Sequence, residues 1–326
     1  MRCGFPLIAA ALLACGCKDK LSEAAKAAQG LYAYDPAAAV HNNFSGEKAF
    51  AHVKAQVDMG PRPAGSAAVE NLRRYLEDQL KAAGWETTRQ EFSSYTREGT
   101  VKFANLRARF PVPESQTWKR AAAVLVGSHF DTKLFRNFKF VGANDGASST
   151  AVLLEMARVL GAHPAAAQFV ELVFFDGEEA VVDYTMDAAN ALPTDGLFGS
   201  RHYVEVLRKE PKDVWPACLV LLDMVGDKEL MIRMPENGTA NLKAAVKLAA
   251  EELGYSRHFS ADGRQILDDH VPFLAAGIPA VDIIDLDFAP WHTALDTLDQ
   301  VSPASLEIAG RTTLLLLEKH LLGRGQ

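Results

Sequence analysis

Cysteine is nearly missing from this chain of 326 residues: there are four, and three of them (Cys3, Cys15, Cys17) fall in the first seventeen positions. Beyond those only Cys218 remains, inside an apolar run. A lone thiol leaves no disulfide within the mature domain, apart from anything Cys15 and Cys17 do, and argues against a cysteine-ligated zinc or a cysteine nucleophile; its neighbours mark it as buried and inert. Basic runs are missing too. With 34 Lys+Arg against 41 Asp+Glu the formal charge is −7, which argues against a nucleic-acid partner. No glycine-rich phosphate loop occurs, since Gly142-Ala143-Asn144-Asp145-Gly146 is too short and too acidic to cradle phosphate. There is no internal repeat. The apolar segment from Phe5 to Ala14 is too short to span a bilayer as a stable helix.

That segment has another use. Arg2, the apolar stretch, then Cys15-Gly16-Cys17 and the polar Lys18-Asp19-Lys20 read as a bacterial export signal over residues 1–17. Leu12-Leu13-Ala14-Cys15 has the form of a lipobox, with Cys17 as a rival lipidation site. The expectation is a periplasmic protein held to a membrane only through an N-terminal lipid. Residues 18–45, rich in Ala and polar side chains, are expected to form a tether, and 46–326 a single catalytic α/β domain. The apolar fraction, 48%, is ample for one sizeable core.

Periodicity then gives the elements. Apolar positions at helical spacing (Val69, Leu72, Leu76, Leu80) predict a helix over 67–83, ended by Gly84. Two strands follow, 86–92 and 101–110. Strands over 121–126, 169–176, 219–222 and 280–284 alternate with helices over 146–160, 197–208, 241–253 and 303–320, and a short helix follows His270. Such alternation indicates an α/β three-layer sandwich with a mixed, mostly parallel central sheet.

The most informative stretch is Phe174-Phe175-Asp176-Gly177-Glu178-Glu179. A buried strand there runs straight into three acids, at the end where open α/β sheets bind ligands. Two adjacent glutamates suit a metal site, one as ligand and one as proton carrier. Further candidates follow other strands: His129, Asp131, Asp145, Asp223, Asp268, Asp269, His270 and His292. His, Asp and Glu donors without Cys fit catalytic zinc. Five other histidines (His41, His52, His163, His258, His320) have no partner motif and are expected at the surface.

Gly127-Ser128-His129-Phe130-Asp131, Gly142-Ala143-Asn144-Asp145, the Phe174–Ala180 stretch, Leu197–His202, Asp268–Phe273 and Trp291-His292-Thr293 together resemble the glutaminyl cyclases of the M28 zinc aminopeptidase clan. The likeness runs over about residues 45–320, Arg62-Pro63-Ala64-Gly65-Ser66 included. The resemblance implies conversion of N-terminal Gln of a peptide or protein to pyroglutamate with release of ammonia, by a monomer. It implies one zinc on Asp145, Glu179 and His292, with Glu178 moving protons and Asp268 and Asp223 as further catalytic groups. His129 and Asp223 match a second metal position used by the peptidases. The alternative is an aminopeptidase with two zincs. Trp291, Phe288 and Tyr184 would line the substrate pocket, Tyr184 standing where animal cyclases carry tryptophan. Asp282 stands where the family has a histidine. A shared proton between Asp223 and Asp268 would make Asp223 a poor second-site ligand. Asp131 is expected to orient His129.

Overall fold

Alternation of side chains along the central strands is what separates the layers. The computed structural model describes residues 34–112, 117–119, 121–182, 186–187 and 192–323. Helices α1 (Gly46–Asp58) and α2 (Ala67–Ala82) come first, followed by β1 (Glu86–Thr96), β2 (Gly99–Arg109) and β3 (Val124–His129). Next come α3 (Ala147–Gly161), β4 (Val170–Phe175), α4 (Phe198–Leu207), β5 (Cys218–Asp223) and α5 (Ala240–Glu252). The chain closes with α6 (His270–Ala275), β6 (Ala280–Ile284) and α7 (Pro303–Leu315).

The six strands form one sheet in the order β1-β2-β4-β3-β5-β6. β4, β3, β5 and β6 run parallel, whereas β1 and β2 form an antiparallel hairpin that joins β4 at one edge. Val126, Leu172, Phe174, Val220, Leu222, Val281 and Ile283 face the larger core, shared with α1, α3, α5 and α7. Leu125, Val173, Phe175, Leu219 and Leu221 face the other way, against Tyr203 and Val204 of α4 and Phe273 of α6. Both faces are covered, so the parallel strands read as continuous apolar runs. This is the expected three-layer sandwich, and its parallel strands all deliver their C-terminal ends to one edge.

Boundaries moved where sequence signals were weak. The packed fold begins upstream of residue 46: Val40 and Phe44 are buried in the main core. Phe44 lies on α7, where a Cβ on Gly310 would come within 2.2 Å of its ring. The expected 18–45 tether is therefore too long at its C-terminal end; residues 1–33, with the export signal, lie outside the described residues. Helix α1 escaped the periodicity because its buried positions are Gly46, Ala49, Val53 and Gln56, only one of them large and apolar. Ser45 caps it, accepting from the Lys48 amide at 3.3 Å. The closing helix runs on past Leu315 with a change of pitch, a π-helical turn over Leu316–Leu321. His41 is not at the surface; its ring meets the buried carboxylate of Glu318.

Candidate metal centre and substrate pocket

Two loops carry the central acids, and each is gripped by buried charge. The loop before α3 holds Asp145. Arg62, fully buried, donates to the carbonyls of Gly60 and Val141, both at 2.9 Å, and of Gly142 at 3.3 Å. Asp296 takes the same loop from the other side, accepting from the amides of Asn144 at 2.8 Å and Asp145 at 3.1 Å. The turn after β4 holds Glu178 and Glu179. Asp131 Oδ1 accepts from the amides of Gly177 at 2.9 Å and Glu178 at 3.1 Å. Gly177 has φ 73°, and a Cβ there would lie 2.4 Å from the Phe103 ring, so only glycine fits. Arg73 and the Ala104 amide converge on Asp176, one residue earlier.

The result is two donor sets that share Asp145. On one side His292 Nε2 lies 3.3 Å from Asp145 Oδ2 and 3.1 Å from Glu179 Oε1. On the other, His129 Nε2 lies 3.2 Å from both Asp145 Oδ1 and Asp223 Oδ1. Each set brings its ligand atoms within 4.8 Å of one another. Asp145 Oδ2 is buried and receives no well-aligned hydrogen bond, and buried Glu179 Oε2 has only the Lys133 ammonium near it, at 3.7 Å. Such oxygens are costly unless a cation takes them, and mixed carboxylate and imidazole donors fit zinc. The field agrees: against its own desolvation, the His292 imidazole is pushed up to about 9 by the Asp145 and Glu179 carboxylates. His292 also holds φ 54°, and Met224, next to Asp223, φ 47°, left-handed values that a side chain adopts only when its surroundings enforce them.

Glu178 stands beside these donors. Burial first, then the charges of Glu179, Asp268 and Asp269, push its carboxyl well above the usual range, against the pull of His129. A buried glutamate beside a metal-sized donor set is suited to hold and pass on a proton. A cavity of about 390 Å³ opens onto the site, lined by Glu178, Asp268, Met224, Ile266, Phe288 and Trp291 among others. The Trp291 ring stacks on His292 at 4.2 Å and is 52% exposed, which makes it the outer wall of the mouth. Phe135 and Phe140 meet the same imidazole edge-on, at 5.6 and 5.7 Å.

The sequence-picked residues Asp145, Glu178, Glu179, His292, His129, Asp223, Asp268, Trp291 and Phe288 thus meet at one strand-end cleft. Tyr184 lies outside the described residues. Two relationships differ from expectation. Asp131 is 3.8 Å from His129 Nδ1, too far for a hydrogen bond, because its Oδ1 is committed to the glutamate turn. Asp223 Oδ1 meets His129 Nε2 at 3.2 Å and acts on Asp268 as a neighbouring charge. Sequence reading missed the loop-gripping roles of Arg62 and Asp296, since nothing local distinguishes a buried guanidinium or aspartate from an exposed one. It also missed Arg264 at the mouth of the cavity, paired with Asp262.

An α/β sandwich that gathers acids and imidazoles at its strand ends around metal-sized donor sets defines the class of metal-dependent exopeptidase-like enzymes. The chain belongs to one family of that class: the model of Peptidase family M28 matches residues 105–317. Among the proteins it is similar to are several glutaminyl cyclases. A glutaminyl cyclase from an Acidobacteriales bacterium is 32% identical, with 84% of this chain and 94% of that one covered and a TM-score of 0.73. The mouse glutaminyl-peptide cyclotransferase-like protein is 28% identical over 289 residues, 80% of this chain and 72% of its own. A leucine aminopeptidase precursor from Bacteroides thetaiotaomicron superimposes as well, at 27% identity, TM-score 0.73, and 85% and 98% coverage. The backbone alone therefore does not separate the two chemistries.

Proposed function

We propose that this enzyme is a glutaminyl-peptide cyclotransferase that turns the N-terminal Gln of a peptide or protein into pyroglutamate and ammonia. One observation carries the reading: Glu178 stands next to the Asp145–Glu179–His292 set at the floor of an apolar-walled cavity. Zinc bound by those three residues would supply a Lewis acid for the side-chain amide carbonyl. The substrate's α-amine is itself the nucleophile. Its nitrogen bonds to the amide carbon, and the bond from that carbon to the side-chain nitrogen breaks. Glu178 accepts the proton the amine loses and returns it to the leaving nitrogen, which departs as ammonia. Asp268 holds that nitrogen by accepting its N–H. Trp291 and Phe288 press the glutamine side chain back towards its own amine, so that bimolecular reach becomes intramolecular proximity.

The same residues could serve a peptidase if a second zinc occupied the His129–Asp145–Asp223 set, whose geometry is complete. Cyclisation needs no metal-bound hydroxide, so one zinc suffices. We place the enzyme in the periplasm, anchored by a lipid on Cys15 or Cys17, on the form of residues 1–17. Labelled palmitate incorporated by the native chain and lost in a C15S or C17S variant would bear this out; export without label would mean simple secretion. For the activity, Gln-bearing and Leu-bearing dipeptides separate the chemistries. Ammonia from the first supports the cyclase, whereas free leucine from the second without ammonia would overturn it.

A further inference from the structure

The turn that carries Glu178 and Glu179 is held from its far side by the start of α4. The Leu197 amide donates to the Glu178 carbonyl and the Phe198 amide to the Gly177 carbonyl, both at 2.8 Å. With Asp131 accepting from the amides of Gly177 and Glu178, every backbone donor and acceptor of those two residues is engaged. Asn105 ties the same helical turn to the strand end, donating to the Gly199 carbonyl at 2.8 Å and accepting from the Asp176 amide at 3.1 Å. The helix reaches this place under strain. Its N-cap is Leu197, fully buried, with φ 51° and ψ 30° and no capping bond from its side chain. Leucine takes left-handed values only where its surroundings enforce them, and a helix gains more from Ser, Asp or Asn at that position. Just upstream stands Asp195, 4% exposed. Its Oδ1 accepts from the Val181 amide at 2.9 Å and its Oδ2 from the Val182 amide at 2.8 Å. The chain leaves the glutamate turn through Val181 and Val182 and returns through Asp195, with a short antiparallel ribbon, Met186–Asp187 against Leu192–Pro193, between them. The Asp195 carboxylate closes that neck.

We propose that Asp195 is a positioning residue for Glu178: by closing the neck it fixes where Leu197 re-enters, and so keeps the Leu197 and Phe198 amides on the two carbonyls that direct the Glu178 side chain. The proposal rests on the proton-carrying role given to Glu178 above. Both links between the neck and the glutamate turn are short and pinned. On the outgoing side the Lys133 ammonium donates to the Ala180 carbonyl at 2.9 Å. On the returning side Gly196, with φ 92°, has its carbonyl taken by Arg201 Nη1 at 3.1 Å. A shift at Asp195 therefore passes into the turn instead of being absorbed on the way. Glu178 has to reach both the attacking amine and the leaving nitrogen, so a small drift of the turn lengthens the proton path.

The test is a double-mutant cycle of Asp195→Ala with Glu178→Gln, on zinc-saturated enzyme and a Gln-bearing peptide. D195A alone is expected to lose about ten- to hundredfold in kcat, with KM changed by less than about twofold. Asp195→Asn, which keeps one acceptor oxygen, is expected to recover part of that loss, and it carries the cycle if D195A does not fold. In the E178Q background the same change at Asp195 should cost less than about a further twofold, because a misplaced carboxylate no longer matters once it has been replaced. An undiminished loss in both backgrounds would overturn the proposal, as would a native kcat or an effect confined to KM. A lowered melting midpoint with native kcat would also overturn it, since Asp195 would then only fasten the loop. Should the enzyme instead release leucine from Leu-bearing peptides, the cyclase reading fails, and the same cycle read on leucine still decides the role of Asp195.

Discussion

Asp296 offers no ligand atom to either donor set and holds Asp145 only through its backbone amide, yet its removal should be felt at the metal. Its carboxylate, 1% exposed, accepts from the amides of Asn144 and Asp145 and faces the charge of buried Arg62. In Asp296→Ala both amides lose their acceptor inside the protein. Hydrogen bonds to a charged group contribute about 1.5–3 kcal/mol each, and water entering the small gap returns part of the loss, leaving about 3 kcal/mol. For a domain of this size that is a fall in Tm of about 4–6 °C. The freed loop also stops holding Asp145, whose two oxygens face the two donor sets. Removing such a supporting partner typically costs about 10–100-fold in metal affinity. Zinc competition against a chromogenic chelator, with melting curves on the same samples, measures both. Asp296→Asn, which keeps one acceptor oxygen, should fall between. Unchanged zinc affinity together with a Tm shift under about 2 °C would refute the idea that Asp296 holds the ligand loop.

The adjacent glutamates should separate cleanly. Glu178→Gln is expected to lose about 10²–10⁴-fold in kcat while zinc stays bound, and Glu179→Gln to lose zinc itself; metal content and single-turnover rates distinguish them, and equal zinc loss in both would sink the division of labour. Cys218 is 4% exposed and burial pushes its thiol up to about 12, so a thiol reagent at neutral pH should label it only after unfolding, with rates that rise with denaturant; rapid labelling of the native protein would contradict its burial. Gly199→Ala would set a Cβ 2.3 Å from Asn105 Oδ1 and 2.7 Å from the Asp176 amide nitrogen, and should destabilise by about 1–3 kcal/mol in chemical denaturation; an unchanged midpoint would show that the contact relaxes freely.

Where the sequence was informative, the reason was one-dimensional. Apolar runs that stop at acids mark parallel strands and their functional ends, so Val170–Phe175 with Glu178 and Glu179, and Cys218–Asp223, were legible within a residue or two. The donor sets were legible because motifs of known order carried them. What escaped depends on distance. The grip of Arg62 on Val141 and Gly142 spans about eighty positions, and that of Asp296 on Asn144 spans 152. Helix α1 went unseen because a helix wedged between others needs small residues rather than a broad apolar stripe. The partner of Asp223 depends on which way neighbouring strands turn their side chains. Here the alternation along β6 turns Asp282 to the α6 side of the sheet, and Asp223 meets His129.

Anomalous diffraction at the zinc edge, from crystals of the zinc-loaded active enzyme, bears most directly on the assignment of ligands. A peak is expected within bonding distance of Asp145 Oδ2, Glu179 and His292 Nε2, with the Glu178 carboxylate beside it but not coordinating. Zinc seated instead among Asp268, His270 and Asp282, or bound by Glu178 in place of Glu179, would contradict it.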